Sequence, residues 1–149
     1  MINFLARACA SLGGVGFFPI MPGTAGSLVT VFITWLFYTG ETGPLLTAAA
    51  IIFFIGLVTV QYATQGQSDP SWIVIDEAVG MLLALVGVPP SGKAFFAAFV
   101  LFRILDIYKP FGINILERLP GAWGVMLDDI LAGLVAAGIL QTVMYVMPF

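Results

Sequence analysis

The sequence has 149 residues, 60% of them apolar, with five Lys or Arg, eight Asp or Glu and no histidine; its mean hydropathy is +1.08. A soluble domain carries roughly 25% charged residues; the 9% found here excludes that class, and a net charge of −3 without a basic run excludes a nucleic-acid surface. Without histidine there is no imidazole base, phosphohistidine or imidazole-bound zinc, so any catalysis runs on carboxylates, hydroxyls, Lys, Arg, backbone amides and metals.

The length suits a single domain over residues 1–149. Residues 1–18 do not read as a cleaved signal, because Arg7 interrupts them and Gly-Pro-rich sequence follows. An interfacial or packed N-terminal helix is expected there. Cys9 stands alone, which excludes an internal disulfide; a small apolar filler is expected there ahead of a catalytic thiol.

The segment from Phe18 through Pro19, Pro22, Gly23 and Thr24 to Ser27 is stiffened by proline and opened by glycine. Thr24 or Ser27 is placed to cap the following helix, whose free amides make an anion site. It is not a P-loop, because Gly-Lys-Ser/Thr is absent. Residues 27–38 form a short apolar helix, paired as a helical hairpin with 45–63 through the turn at 39–44. The stretch 45–63 is the most secure span, long enough for a hydrocarbon core of roughly 30 Å.

Two further apolar runs, 78–88 and 94–102, are truncated by Asp76-Glu77 and by Arg103 and Asp106, with a turn at 89–93 between them. Pro110 biases Lys109 out of helical geometry, so that helix ends there. The last span, 130–147, is free of charge, and Gly133-x-x-x-Ala137 permits close helix contact within one subunit. The expected fold is all-α: a polytopic helical membrane protein with four to five membrane-embedded helices. Five crossings with the N-terminus inside put segments 1–26, 64–77 and 103–129 on the cytoplasmic face. That face then carries Arg7, Arg103, Lys109 and Arg118, against Lys93 alone opposite. Every charged cluster lands on one face.

Each cluster has a plain reading and a chemical one. Asp76-Glu77 opens a helix, where acids offset the helix dipole; two adjacent acids exceed what a cap needs, which favours metal ligation. Arg103 and Asp106 lie one turn apart and suit a structural pair. Lys109 adds a third charge there, and a phosphate would account for the surplus cation. Asp128-Asp129 would repel without a divalent ion between them. Consecutive helical residues point about 100° apart, so both reach one metal only near a helix end, or each serves a different ion. Oxygen-only ligands favour Mg²⁺ or Mn²⁺ over zinc.

Four blocks carry a family resemblance: Phe18-Pro19-x-x-Pro22-Gly23-Thr24-x-Gly26-Ser27, Asp76-Glu77-x-x-Gly80, Phe102-Arg103-x-x-Asp106-x-x-Lys109-Pro110, and Gly124-x-Met126-x-Asp128-Asp129-x-x-Ala132-Gly133. In order and spacing they resemble the phosphatidylglycerophosphatase A family over residues 13–138. The resemblance implies an all-helical, Mg²⁺-dependent lipid phosphatase of bacterial inner membranes, which converts phosphatidylglycerophosphate to phosphatidylglycerol, with the acidic motif residues binding metal. On this reading Asp76, Glu77, Asp128 and Asp129 hold Mg²⁺. Thr24, Ser27, Arg103 and Lys109 bind substrate, and Asp76, Asp106, Lys109 and Asp129 are catalytic. Asp106 has three open roles: metal ligand, partner of Arg103, or base toward water. Water attacks directly, or an aspartyl-phosphate forms on Asp76 or Asp128. The rival from another class is a membrane ion-transport subunit with an acidic cation site, which leaves Lys109 and the Pro-Gly-Thr loop without a role.

Overall fold

The computed structural model describes residues 2–64 and 70–147. Its elements are six α-helices: α1 Ile2–Ala10, α2 Pro22–Phe37, α3 Thr42–Thr64, α4 Ile75–Ala84, α5 Gly92–Tyr108 and α6 Ala122–Val146. Tight 3-10 segments at Val15–Phe17 and Pro110–Arg118 complete them. No strand occurs among the described residues, as an all-α chain requires. Of the expected segment 64–77, residues 65–69 lie outside the described residues.

α4 is the post around which the others stand. Eight of its ten residues are buried, and it packs on α2, α3, α5 and α6. Its closest approach is to α6, where a methyl group on Gly133 would lie 2.2 Å from the Gly80 carbonyl oxygen. The close contact expected at Gly133 therefore forms inside one chain. Gly133→Ala is expected to cost about 1–3 kcal/mol through overpacking against backbone, seen as a lowered Tm in detergent. An unchanged Tm would mean that the two helices can part freely.

Several boundaries differ from those expected. α2 begins at Pro22, because proline at the first helical position has no N–H to leave unpaired. Met21 before it is left-handed (φ 51°) and gives no side-chain cap. Thr24 and Ser27 thus lie inside the first turns and do not cap the helix. α6 starts at Ala122, after Gly121 turns the chain at φ 62°. Asp128 and Asp129 fall about two turns into the helix, which thus begins well before residue 130. α4 stops at Ala84, short of 88, and α5 is capped by Ser91, whose Oγ accepts from the Ala94 N–H at 3.2 Å. α5 ends where Pro110 requires, with Lys109 left-handed at φ 45°.

The expected α2–α3 hairpin does not form as a packed pair. The short connection brings the two helices together only at 38–42; beyond it Ala78 and Leu82 of α4, with Leu12, floor an open groove between them. Instead α3 packs on α1 and α4. The N-terminal segment fastens the turn before α4: the Val74 N–H donates to the Ala10 carbonyl at 3.0 Å. Trp72 is stacked by Phe17 at 5.7 Å and covered by the Arg7 guanidinium at 5.3 Å. Residues 1–18 thus contain the packed helix expected of them.

α3 and α6 are long and apolar enough to cross a bilayer, at about 35 Å or more by helical rise. α2 is apolar but shorter. The bundle is inverted relative to a soluble protein. Phe32, Phe37, Phe54 and Phe96 are each more than 60% exposed, whereas Asp76, Asp106, Asp128 and Asp129 are all buried. That arrangement suits hydrocarbon outside and polar chemistry within.

Candidate active site

Four helix termini bring the charged blocks together at one end of the bundle. Asp76 and Glu77 occupy the first turn of α4, as the sequence predicts. Asp129 faces them from α6: one carboxylate oxygen from each of Asp76, Glu77 and Asp129 lies within 4.8 Å of the others. Asp106, on the last turn of α5, reaches Asp129 as well.

Arg103 binds this cluster to α2. Its Nη1 donates to Asp106 Oδ2 at 2.6 Å and to Ser27 Oγ at 3.5 Å, and stands 3.9 Å from Glu77 Oε1. Ser27 in turn donates its hydroxyl proton to the Gly23 carbonyl at 2.9 Å. Of the three roles left open for Asp106, pairing with Arg103 is the one that the geometry displays. The Glu77 carboxylate sits over the α-carbon of Gly23, where a methyl group would come within 2.0 Å of Oε1. Glycine leaves room there for the carboxylate, which a methyl group would push aside.

Asp128 and Asp129 diverge, as neighbours on a helix must. Asp128 turns to Lys109, with which it forms an ion pair. Asp128, expected among the metal ligands, therefore stands apart from the carboxylate trio. Lys109, expected as a surplus cation, has a carboxylate partner delivered by α6.

Several buried polar atoms have no protein partner: Thr24 Oγ1, Glu77 Oε2, Asp129 Oδ2, Asp128 Oδ1 and Arg103 Nε. Such atoms are rare in native interiors and mark places where ligand or solvent atoms belong. With the five carboxylates ionised and Arg103 and Lys109 charged, the cluster carries 2 − 5 = −3. A buried excess of that size needs cations. The oxygen-only trio with open lone pairs fits one hard divalent ion such as Mg²⁺ or Mn²⁺. Beside it, the first turn of α2 offers amides with no carbonyl partner inside the helix, and Thr24 a spare hydroxyl, which suits an anion.

An all-helical bundle with an apolar exterior, two helices long enough to cross a bilayer, and buried carboxylates held by ion-paired Arg103 and Lys109 has the build of a membrane protein with polar chemistry inside. The chain belongs to the phosphatidylglycerophosphatase A family, whose model matches residues 8–144. It is 38% identical to the phosphatidylglycerophosphatase A of Escherichia coli, over 85% of this chain and 76% of that protein. The Haemophilus influenzae protein of the same name is 36% identical, over 89% and 84%. A Bacteroides thetaiotaomicron protein described as a candidate phosphatidylinositol-3-phosphatase is 39% identical, over 88% of each chain. No solved structure matches the chain.

Proposed function

We propose that this protein is a Mg²⁺-dependent phosphatidylglycerophosphatase of a bacterial inner membrane, with its site facing the cytoplasm. It releases the terminal phosphate of phosphatidylglycerophosphate to leave phosphatidylglycerol. The observation that carries this reading is the meeting of Asp76, Glu77 and Asp129 beside Arg103 and the α2 N-terminus, in a chain of this family. Family and relatives lend nothing to the ion-transport reading.

Asp76, Glu77 and Asp129 would hold the ion, which supplies Lewis-acid polarisation of the phosphoryl oxygens. Thr24 and the first amides of α2 receive the phosphate, their donors aimed before substrate arrives. Arg103, held by Asp106, Ser27 and Glu77, keeps these carboxylates in place and contributes positive charge at the phosphate's edge. Lys109, steadied by Asp128, supplies the second cation. Water attacks phosphorus in line, and its proton passes to the neighbouring Asp106–Asp129 pair. The P–O bond to glycerol breaks, and the Asp106–Asp129 pair returns that proton to the departing glycerol oxygen.

The test is phosphate release by the purified protein in detergent micelles. Turnover of phosphatidylglycerophosphate is expected to stop in EDTA and to return with Mg²⁺. Phosphatidylinositol 3-phosphate serves as the competing substrate, given the name of the Bacteroides relative. Preference for that lipid, or turnover indifferent to EDTA, would overturn the substrate or the metal respectively.

A further inference from the structure

The groove between α2 and α3 holds about 440 Å³, yet it is cut off from the acidic site. Its α4 floor is Ala78 and Leu82, on a different face of that helix from Asp76. Val74 seals the α2–α4 seam so tightly against Gly26 that a methyl group there would lie 2.9 Å from the Val74 Cβ. A second groove, between α2 and α5, is smaller at about 300 Å³, and its upper lining residues are Leu28, next to Ser27 in the chain, and Phe99, one turn from Arg103.

Helical periodicity makes that continuity direct. Val31 is one turn below Ser27 on α2, and Phe99 is one turn below Arg103 on α5. Both line the smaller groove, with Leu28, Phe96, Phe95 and Trp35. The Arg103–Ser27 hydrogen bond lies one turn above Val31 and Phe99. Near its far end Trp35 meets Phe95 edge to face, centroids 5.2 Å apart, with Gly92 lining the groove one turn beyond. From Ser27 to Trp35 the slot runs about 12 Å by helical rise.

We infer that the α2–α5 groove is the docking slot for one acyl chain of the lipid substrate, and that the Trp35–Phe95 contact measures about its first ten carbons. This rests on the lipid-phosphatase reading above and names the part of the lipid that the site recognises beyond its phosphate. At roughly 30 Å³ for a group the size of a water molecule, the cavity volume accommodates about ten methylenes, in keeping with the length of the slot. The walls are apolar and their outer edges exposed, with Phe96 at 68% and Leu28 at 50%. A chain can therefore enter sideways from the bilayer while its head group stays at Arg103. The neighbouring groove lacks such a route.

A chain-length series, from hexanoyl to palmitoyl phosphatidylglycerophosphate at fixed micelle composition, reads the ruler. In the parent protein kcat/KM should climb to about ten carbons and then level off. Trp35→Ala opens the far end and should move the levelling point to longer chains. Leu28→Trp fills the slot and should lower the long-to-short-chain kcat/KM ratio about tenfold. Ala48→Trp, in the α2–α3 groove, should leave the series unchanged. A series that does not level off, or that responds to Ala48→Trp and not to Leu28→Trp, overturns the assignment.

A second readout needs no turnover. Phosphatidylglycerophosphate carrying a mid-chain diazirine, irradiated in phosphatidylcholine nanodiscs, should mark Val31, Phe96 and Phe99 above Ile52 and Leu134. Marking spread evenly over the apolar faces means annular lipid only and sinks the slot. So does disulfide trapping of two copies through Phe32→Cys, which would make this face a contact between chains. Enriched marking without phosphate release from any lipid would instead retire the phosphatase reading and leave the slot standing.

Discussion

Asp129→Asn is expected to lower phosphate release by at least about two orders of magnitude while making the metal-free protein more stable. Asp129 is 3% exposed and lies among Asp76, Glu77 and Asp106. Asparagine keeps the volume and one carbonyl oxygen but removes one negative charge from a like-charged cluster. In EDTA the variant should therefore melt at a higher temperature than the parent. The Tm gain on adding Mg²⁺ should shrink, because linkage depends on affinity for the folded state. Opposite signs for activity and stability are the mark of a functional charge cluster. Near-normal turnover would remove Asp129 from the metal site.

Arg103→Met is expected to be the most destabilising exchange in the site, at about 3–5 kcal/mol, since it leaves buried carboxylates without their cation. Arg103 serves Asp106, Glu77 and Ser27 through one nitrogen, and its side chain is only 13% exposed. Folded yield and Tm should fall together, and adding Asp106→Asn should recover part of the loss, since the two residues are coupled. A residue that only bound phosphate would behave otherwise, with KM raised and Tm intact. Melting curves of the single and double variants separate the two cases.

The sequence analysis could place the acids because each stands at a break in an apolar run, and alternation of spans sends such breaks to common faces. Asp76-Glu77 at the start of α4, Lys109 at the end of α5 and the close contact at Gly133 were readable for that reason. Which charges pair was not readable. Asp128 and Asp129 look alike in sequence, and only the rotation of α6 against α4 and α5 sends one to Glu77 and the other to Lys109. The start of α6 was misplaced because two acids look like a boundary in an apolar chain. In the fold they are interior residues, held by partners from two other helices. The α2–α3 hairpin misled for a related reason: a short link promises proximity, but packing partners are chosen by the small, buried faces of α4. Pro22 is itself a helix-start signal and outweighs the hydroxyls after it.

The central position of α4 has a consequence for how the protein is made. Ten residues give about 15 Å of helix, half the hydrocarbon thickness, and two of them are acids costing about 2.5–3.5 kcal/mol each on the mildest insertion scale. Such a segment does not partition into lipid alone as it leaves the ribosome. The shelter that α2 and α3 begin is completed only by α5 and α6, which are synthesised later. The membrane-inserted form must therefore complete itself from the C-terminal side, and truncation before α6 should leave α4 outside the bilayer, exposed to proteolysis.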